Sequence, residues 1–116
     1  VDGWTALHGR FGKLPLEQVL APAIRYATEG FPVSDVIAYY WARSVPRLKD
    51  QPGFLAQFTL DGRAPKKGEI WKNPNLAYTL TQIAERGRDG FYDGPVAERI
   101  GAHVKAAGGY LSAEDL

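Results

Sequence analysis

The 116-residue chain is 45% hydrophobic and 12% aromatic, which suffices for one modest core and excludes a disordered polymer. Fourteen basic and thirteen acidic residues leave a net charge of +1, and the longest run of like charge is the pair Lys66 and Lys67, so neither nucleic acid nor an anionic membrane surface is indicated as a partner. No apolar run approaches the ~20 residues of a membrane span, and the absence of cysteine excludes disulfides, thiolate zinc sites and a cysteine nucleophile within these residues.

Apolar periodicity defines the first two predicted helices. The first ends at Gly12, and the second begins at Pro15 and ends at Gly30. Because Pro22 removes a backbone hydrogen bond inside the second helix, a kink or a break is predicted near Ala21. The residues predicted to face a core are Trp4, Leu7, His8 and Phe11 in the first helix, and Leu16, Val19, Leu20, Ala23, Ile24 and Ala27 in the second.

A third helix is predicted between its cap residue Ser34 and a stop at Pro46. Between Pro52 and Asn73 the helical period disappears, and the stretch FTLDGRAPKKGEIW places Asp61 and Gly62 between two short β-prone runs. This part is predicted to be irregular, with a hairpin as the alternative. The residues of the third helix predicted to face inward are Ile37, Tyr40, Trp41 and Ser44.

Two longer helices are predicted in the second half of the chain. One is capped by Asn73, has Pro74 in its first turn and ends at Gly87, and the other runs from Pro95 to the pair at 108–109. Their predicted inner faces are Leu76, Ala77, Leu80, Ile83 and Ala84 in one, and Val96, Ala97, Ile100 and Val104 in the other.

The last residues carry the signal of a helix start. The sequence SAED places the hydroxyl of Ser112 at a cap position and the carboxylate of Asp115 three residues later. The sequence stops at Leu116, and at the other end a helical stripe begins within three residues of Val1. We therefore expect the 116 residues to be a segment of a longer chain.

The stretch RGRDGFYDGP, residues 86–95, is the glycine-rich loop of this sequence. A phosphate loop would follow a strand and carry a Gly-Lys-Ser/Thr motif, which this stretch lacks. A calcium loop starting at Asp89 would need oxygen ligands where Phe91 and Ile100 stand. The loop is therefore predicted to be a helix joint, in which Phe91 and Tyr92 tuck into the core.

Side chains that could carry chemistry are interpreted as structural. His8 and His103 lie on or beside apolar helical faces with no third ligand at a useful spacing, and we predict that neither binds metal. The serines are typical of caps or helix faces, and the glutamates are typical of solvated surfaces. Trp71, in the irregular segment, is predicted to contact a partner. No catalytic, cofactor-binding or metal-ligating residue is assigned, and no cofactor is expected.

Three stretches, in this order, resemble the large-subunit region of the gamma-glutamyltransferase (gamma-glutamyltranspeptidase) family: WTALHGRFGKLPLEQVLAPAIRYATEGFPVSD, NPNLAYTLTQIAERGRDGFYDGPVAERI and GGYLSAEDL. The similarity covers nearly the whole chain and is weakest between Leu48 and Gly68. It implies a mainly α fold class: a multi-helix segment with a short irregular or hairpin insertion, from the helical layer of an αββα N-terminal nucleophile hydrolase. Residues 1–116 would form a single helical segment of a larger chain.

The resemblance also implies an activity for the longer protein. In this family a precursor cuts itself into a large and a small subunit, and the new N-terminal threonine of the small subunit attacks a gamma-glutamyl amide, with its own amino group as the base. The acyl group then passes to water or to an amino acid acceptor. The nucleophile would lie downstream of this chain and the arginine that binds the substrate carboxylate upstream, so the chain alone is expected to be inactive.

The partners implied are the remainder of the large subunit and the small subunit of the same precursor. Self-association of the isolated segment is also expected, through apolar residues that the parent would cover, with Trp71, Leu116 and either Tyr39 or Trp41 as candidates. The location would be periplasmic or extracellular if the protein follows the secreted members of the family. Two alternatives stay open: a segment of a related acylase, or a free-standing helical protein-interaction module.

Overall fold

The computed structural model describes all 116 residues, Val1–Leu116, and most of them are helical. Seven α-helices, one two-stranded sheet and a final turn of 3-10 helix follow each other along the chain. Their bounds are α1 Asp2–Phe11, α2 Leu16–Glu29, β1 Phe31–Pro32, α3 Asp35–Leu48, α4 Phe54–Phe58, β2 Ile70–Trp71, α5 Pro74–Arg86, α6 Asp89–Tyr92, α7 Pro95–Ala106, and the 3-10 turn Ala113–Asp115.

The chain divides into two compact units. Unit 1 consists of Val1–Arg25 together with Pro74–Leu116, and unit 2 is the continuous stretch Tyr26–Asn73. A membrane-spanning helix, with the length and apolar composition it requires, is not found among the helices of the chain.

Unit 1 is built around α5, α6 and α7. The side chain of Ile83 on α5 is almost completely buried, as are Val96 and Ala97 on α7. Gly101 of α7 is buried too, and a Cβ atom built on it would lie 2.8 Å from the backbone nitrogen of Ala113. The 3-10 turn therefore lies directly on α7, at a glycine that leaves room for its backbone.

Unit 2 is organised by a short antiparallel sheet. Phe31 of β1 pairs with Trp71 of β2, and the backbone N–H of Val33 donates to the carbonyl of Glu69 at 2.9 Å. The indole of Trp71 packs edge-on against that of Trp41 on α3, with ring centroids 4.7 Å apart. Trp41 in turn donates from Nε1 to the carbonyl of Phe58 at 2.8 Å, which ties α3 to the end of α4.

Several predicted boundaries are confirmed. Ser34 caps α3 by accepting a hydrogen bond from the backbone N–H of Ile37, and α5 opens at Pro74 and is closed by Gly87. The helix predicted from Pro95 is α7, and the predicted capping signal at the end of the chain is a complete capping box around the 3-10 turn. These boundaries depend on residues next to each other in sequence, which is why the sequence determines them.

Most of the face of α1 that was predicted to be buried is exposed. Trp4, Leu7 and Phe11 are 56%, 63% and 65% exposed, whereas His8, the fourth residue of the predicted face, is half-buried, and so is its neighbour on the helix surface, Thr5. The helical period groups these residues on one broad side of α1, and it does not decide which part of that side is covered.

Neither proline ends its helix. α2 runs through Pro22 without the break that was one of the two predicted outcomes, and α3 continues past Pro46, its predicted stop, for two more residues. Pro22 is exposed, so the carbonyl of Gln18 that loses its helical donor is on a side of the helix reached by water.

Individual positions of other predicted faces are wrong, beginning with Val19 and Ala23 of α2, which are exposed. Ile37 and Tyr40 of α3 are exposed, whereas Trp41 and Ser44 are half-buried as predicted, and the unpredicted Ala38 and Val45 are half-buried beside them. Leu76, predicted on the inner face of α5, is 47% exposed, and Trp71, predicted to reach a partner, is 6% exposed.

The segment predicted to be irregular contains a helix that the sequence pattern missed. α4 begins after Gly53, whose left-handed φ of 78° suits glycine. The hairpin alternative is reduced to a single bridge between Leu60 and Arg63 around the predicted Asp-Gly turn, because β2 pairs with β1 instead.

Candidate functional site

The glycine-rich stretch between α5 and α7 is a helix joint, as predicted. Gly87 closes α5 with φ of 61°, and Gly94 has φ of 82° directly before Pro95, the first residue of α7. Between them the chain forms the short helix α6, in which Gly90 is buried against the backbone of Gln82. Each glycine therefore serves either a left-handed turn or a close approach of two backbones.

The same joint holds the beginning of α1, a role that the sequence did not suggest. The hydroxyl of Tyr92 accepts hydrogen bonds from the amino group of Val1 at 3.3 Å and from the backbone N–H of Asp2 at 3.2 Å. Arg88 donates from Nε to the carboxylate of Asp2 at 2.5 Å, and its guanidinium lies 4.6 Å from the centre of the Tyr92 ring. Because the partners are about ninety positions apart in sequence, no local pattern could have paired them. Phe91 and Tyr92 are half-buried rather than enclosed in a core.

A groove of about 460 Å³ runs between α5 and α7 in unit 1. Its walls are mainly apolar, and the guanidinium of Arg99 lies 4.3 Å from the centre of the Tyr78 ring at one side. His103 also lines the groove. His8, the other histidine predicted not to bind metal, lies outside this groove. Its Nε2 is 2.8 Å from the carbonyl oxygen of Leu14. No group of three or more His, Asp or Glu side chains is arranged to hold a metal ion.

Five serine and threonine hydroxyl groups donate to backbone carbonyls, whereas the hydroxyl of Ser112 donates to the carboxylate of Asp115 within the capping box. Thr59, the buried threonine, donates to the carbonyl of Leu55 and accepts from the N–H of Gly62. Thr5, Thr79, Thr81 and Ser44 each donate to a carbonyl three or four residues earlier. A hydroxyl acting as a nucleophile needs a base to take its proton, and these protons are directed at carbonyl oxygens instead.

Arg63 and Glu69 form a two-pronged ion pair in unit 2. The two guanidinium nitrogens reach the two carboxylate oxygens at 2.7 and 2.8 Å, and the backbone N–H of Lys66 donates to the same carboxylate at 2.7 Å. The hydrogen bond from Arg63, followed by that from Lys66, lowers the pKa of Glu69 to about 2. A carboxylate with both oxygens engaged is a poor general base, so this pair holds the segment before β2 in place rather than doing chemistry.

The Glu69 pair predicts a specific acid dependence of stability. A carboxylate whose pKa is lowered on folding stabilises the fold above its unfolded pKa of ~4.3, and this contribution is lost as the pH falls toward 2. In Glu69→Gln we expect urea unfolding midpoints to fall less between about pH 5 and about pH 2 than in the wild type. Glu85→Gln, which neutralises an exposed carboxylate on α5, serves as the control and should follow the wild type. An equal fall of the urea midpoint over this pH range in the wild type and in Glu69→Gln would contradict the prediction.

Comparison with known proteins gives a match over the whole chain. The family model described as gamma-glutamyltranspeptidase matches residues 1–116. The glutathione hydrolase-like YwrD proenzyme of Bacillus subtilis is 39% identical over 115 residues, which are 99% of this chain and 22% of that protein. The chain therefore spans less than a quarter of the length of this relative.

Two solved structures share the arrangement of the helices. The gamma-glutamyltranspeptidase of Helicobacter pylori superposes with a TM-score of 0.94 at 31% identity, covering 99% of this chain and 33% of that one. The cephalosporin acylase of Bacillus halodurans superposes with a TM-score of 0.89 at 44% identity, covering 97% of this chain and 22% of that one. The mainly α fold class, as the helical part of an N-terminal nucleophile hydrolase, is thereby confirmed.

Proposed function

The chain belongs to the gamma-glutamyltranspeptidase family, and we propose that it is a helical segment of the large-subunit region of such an enzyme, structurally necessary and inactive by itself. The proposal rests on comparing the length of the family match with the length of a relative. The family match takes in all 116 residues, whereas those residues correspond to 22% of the B. subtilis relative. A chain of this kind supplies one part of a larger catalytic protein.

The internal chemistry of the chain supports the same proposal. Five of the hydroxyl groups described above donate to backbone carbonyls, and the carboxylate of Glu69, with its lowered pKa, is bound by Arg63 on both oxygens. Catalysis in this family would need a threonine nucleophile with its free amino group, which another part of the polypeptide would supply. The partners of the segment are then the remainder of the large subunit and the small subunit of the same precursor.

The activity of the longer protein would be transfer of gamma-glutamyl groups to water or to amino acid acceptors. We expect the purified 116-residue chain to show no turnover of gamma-glutamyl-p-nitroanilide. The longer protein, expressed from the reading frame that contains these residues, should release p-nitroaniline, and replacing the threonine nucleophile by alanine should abolish that release. Turnover by the 116-residue chain alone would refute the proposal.

A related acylase is the second candidate, and one comparison favours it. Identity to the cephalosporin acylase is 44%, against 31% for the H. pylori gamma-glutamyltranspeptidase. The names of the two enzymes indicate different acyl groups, gamma-glutamyl in one and the side chain of a cephalosporin in the other. Parallel assays of the longer protein with gamma-glutamyl-p-nitroanilide and with a cephalosporin carrying an amide side chain distinguish the two, by comparing kcat/KM for each.

A further inference from the structure

Helix α1 carries an exposed apolar stripe, formed by Trp4, Leu7 and Phe11. These three side chains lie on one side of the helix, and each is more than half exposed. Leu14, three residues beyond Phe11, is 58% exposed and extends the apolar surface past the end of the helix. Large apolar side chains scattered singly are ordinary at a protein surface, whereas a contiguous row of them indicates a binding surface.

The helix itself has little to hold it in a helical conformation. It is ten residues long, shorter than the ~12–15 residues at which isolated helices become even marginally stable. Gly3 and Gly9 lie inside it, and each glycine disfavours a helix by ~1 kcal/mol relative to alanine. Helices of this kind derive their stability from packing of the apolar face, and here that face is in water.

The contacts that α1 does make are concentrated at its beginning. Tyr92 and Arg88 of the joint bind Val1 and Asp2, and they fix where the helix starts. Farther along, His8 reaches the carbonyl of Leu14 in the loop after the helix. The position of α1 is thus set by polar contacts at its beginning and at His8, and these contacts leave Trp4, Leu7 and Phe11 more than half exposed.

We propose that the stripe of Trp4, Leu7 and Phe11 is the docking surface on which the remainder of the same polypeptide packs, an inference that rests on the proposed function. The occupant follows from length, because relatives such as the B. subtilis protein have more than three quarters of their chain outside the matched region. Arg10, whose guanidinium lies 5.1 Å from the centre of the Phe11 ring, and Lys13 flank the stripe with positive charge. The covering surface is therefore apolar at its centre and carries carboxylates at its rim.

A thiol introduced into this cysteine-free segment tests the proposal in the longer protein. Leu7→Cys and Phe11→Cys place the thiol on the stripe. Ala6→Cys places it on the same helix, at an exposed position outside the stripe. The rate of modification by a small thiol reagent is measured for each variant in the folded protein and again in urea. The signal of the longer protein without the introduced cysteine is subtracted, and the folded rate is divided by the rate in urea. The two stripe thiols are expected to be protected by at least about tenfold relative to Ala6→Cys.

Each other outcome overturns the inference. Unprotected stripe thiols would show that the stripe faces water in the longer protein, and equal protection of Ala6→Cys would show that the cover is not specific to the stripe. Protection that disappears on dilution would assign the surface to a second copy of the chain. The proposed function fails by a different measurement, turnover by the 116-residue chain, and it survives if the longer protein is active while the stripe stays accessible.

Discussion

Replacing Trp71 by alanine is expected to lower the free energy of unfolding of the chain by about 3–5 kcal/mol. The indole is 6% exposed and packs edge-on against Trp41 at 4.7 Å, at the point where β2 pairs with β1. Its removal would leave a cavity beside Trp41, and the short two-stranded sheet would lose the side chain that anchors it to α3. Chemical denaturation followed by circular dichroism measures the loss.

Trp4→Ala is the matched control, because it deletes the same side chain from a site that is 56% exposed. In the 116-residue chain we expect it to cost less than about 1 kcal/mol, since surface substitutions rarely have larger effects. Losses of similar size in Trp4→Ala and Trp71→Ala would mean that the assignment of these two tryptophans to surface and core is wrong. In the longer protein Trp4→Ala should become more costly, because the proposed docking surface would then be covered.

The two tryptophans show what the sequence could and could not predict. Trp4 sits in a clear helical period and Trp71 in an irregular segment, so periodicity favours burial of the first and exposure of the second. The structure reverses both, because Trp71 gains a partner through the pairing of β1 with β2, whose residues are about forty positions apart. Burial depends on such distant pairings, whereas a period describes only which residues share a side of one helix.

Features that depend on neighbouring residues were predictable. The start of α3 at Ser34, the opening of α5 at Pro74 and the capping box around Ser112 each follow from a cap or a proline with its next few residues. The glycine-rich joint was predictable for the same reason, since glycine favours a turn whatever the direction of the helices on either side of it. The anchoring of α1 by Tyr92 and Arg88 was not predictable, because its partners are about ninety positions apart in sequence.

No catalytic residue was assigned from the sequence, and that assignment stays a prediction. Two observations agree with it. The buried hydroxyl of Thr59 donates to a backbone carbonyl, and both carboxylate oxygens of Glu69 accept hydrogen bonds from Arg63. Under the proposed function the reacting groups would lie in other parts of the longer protein. The segment would then contribute scaffold and, through the proposed docking stripe on α1, a surface for assembly.

Gly90→Ala is expected to destabilise the chain by about 3 kcal/mol, at the upper end of the losses caused by overpacking. A Cβ atom at this position would overlap the carbonyl group of Gln82, which belongs to the backbone of α5. A flexible side chain could move aside from one added methyl group, but the backbone of a helix moves only with its neighbours. Relief of the overlap would separate α6 from α5, and with it displace Tyr92 and Arg88, which hold the start of α1.

The control for this substitution is Gly3→Ala in α1. A Cβ atom there would meet nothing within 4 Å, and the position is inside a helix, so alanine should be neutral or stabilise the chain by up to about 1 kcal/mol. The same change of one hydrogen to a methyl group should thus have opposite signs at the two glycines. Urea denaturation of both variants measures the difference, and a Gly90→Ala midpoint equal to that of Gly3→Ala would show that α6 does not lie against α5 as closely as the structure places it. If the separation occurs as argued, Gly90→Ala should also raise proteolysis within α1, because the polar contacts at its beginning are then lost while its apolar stripe remains in water.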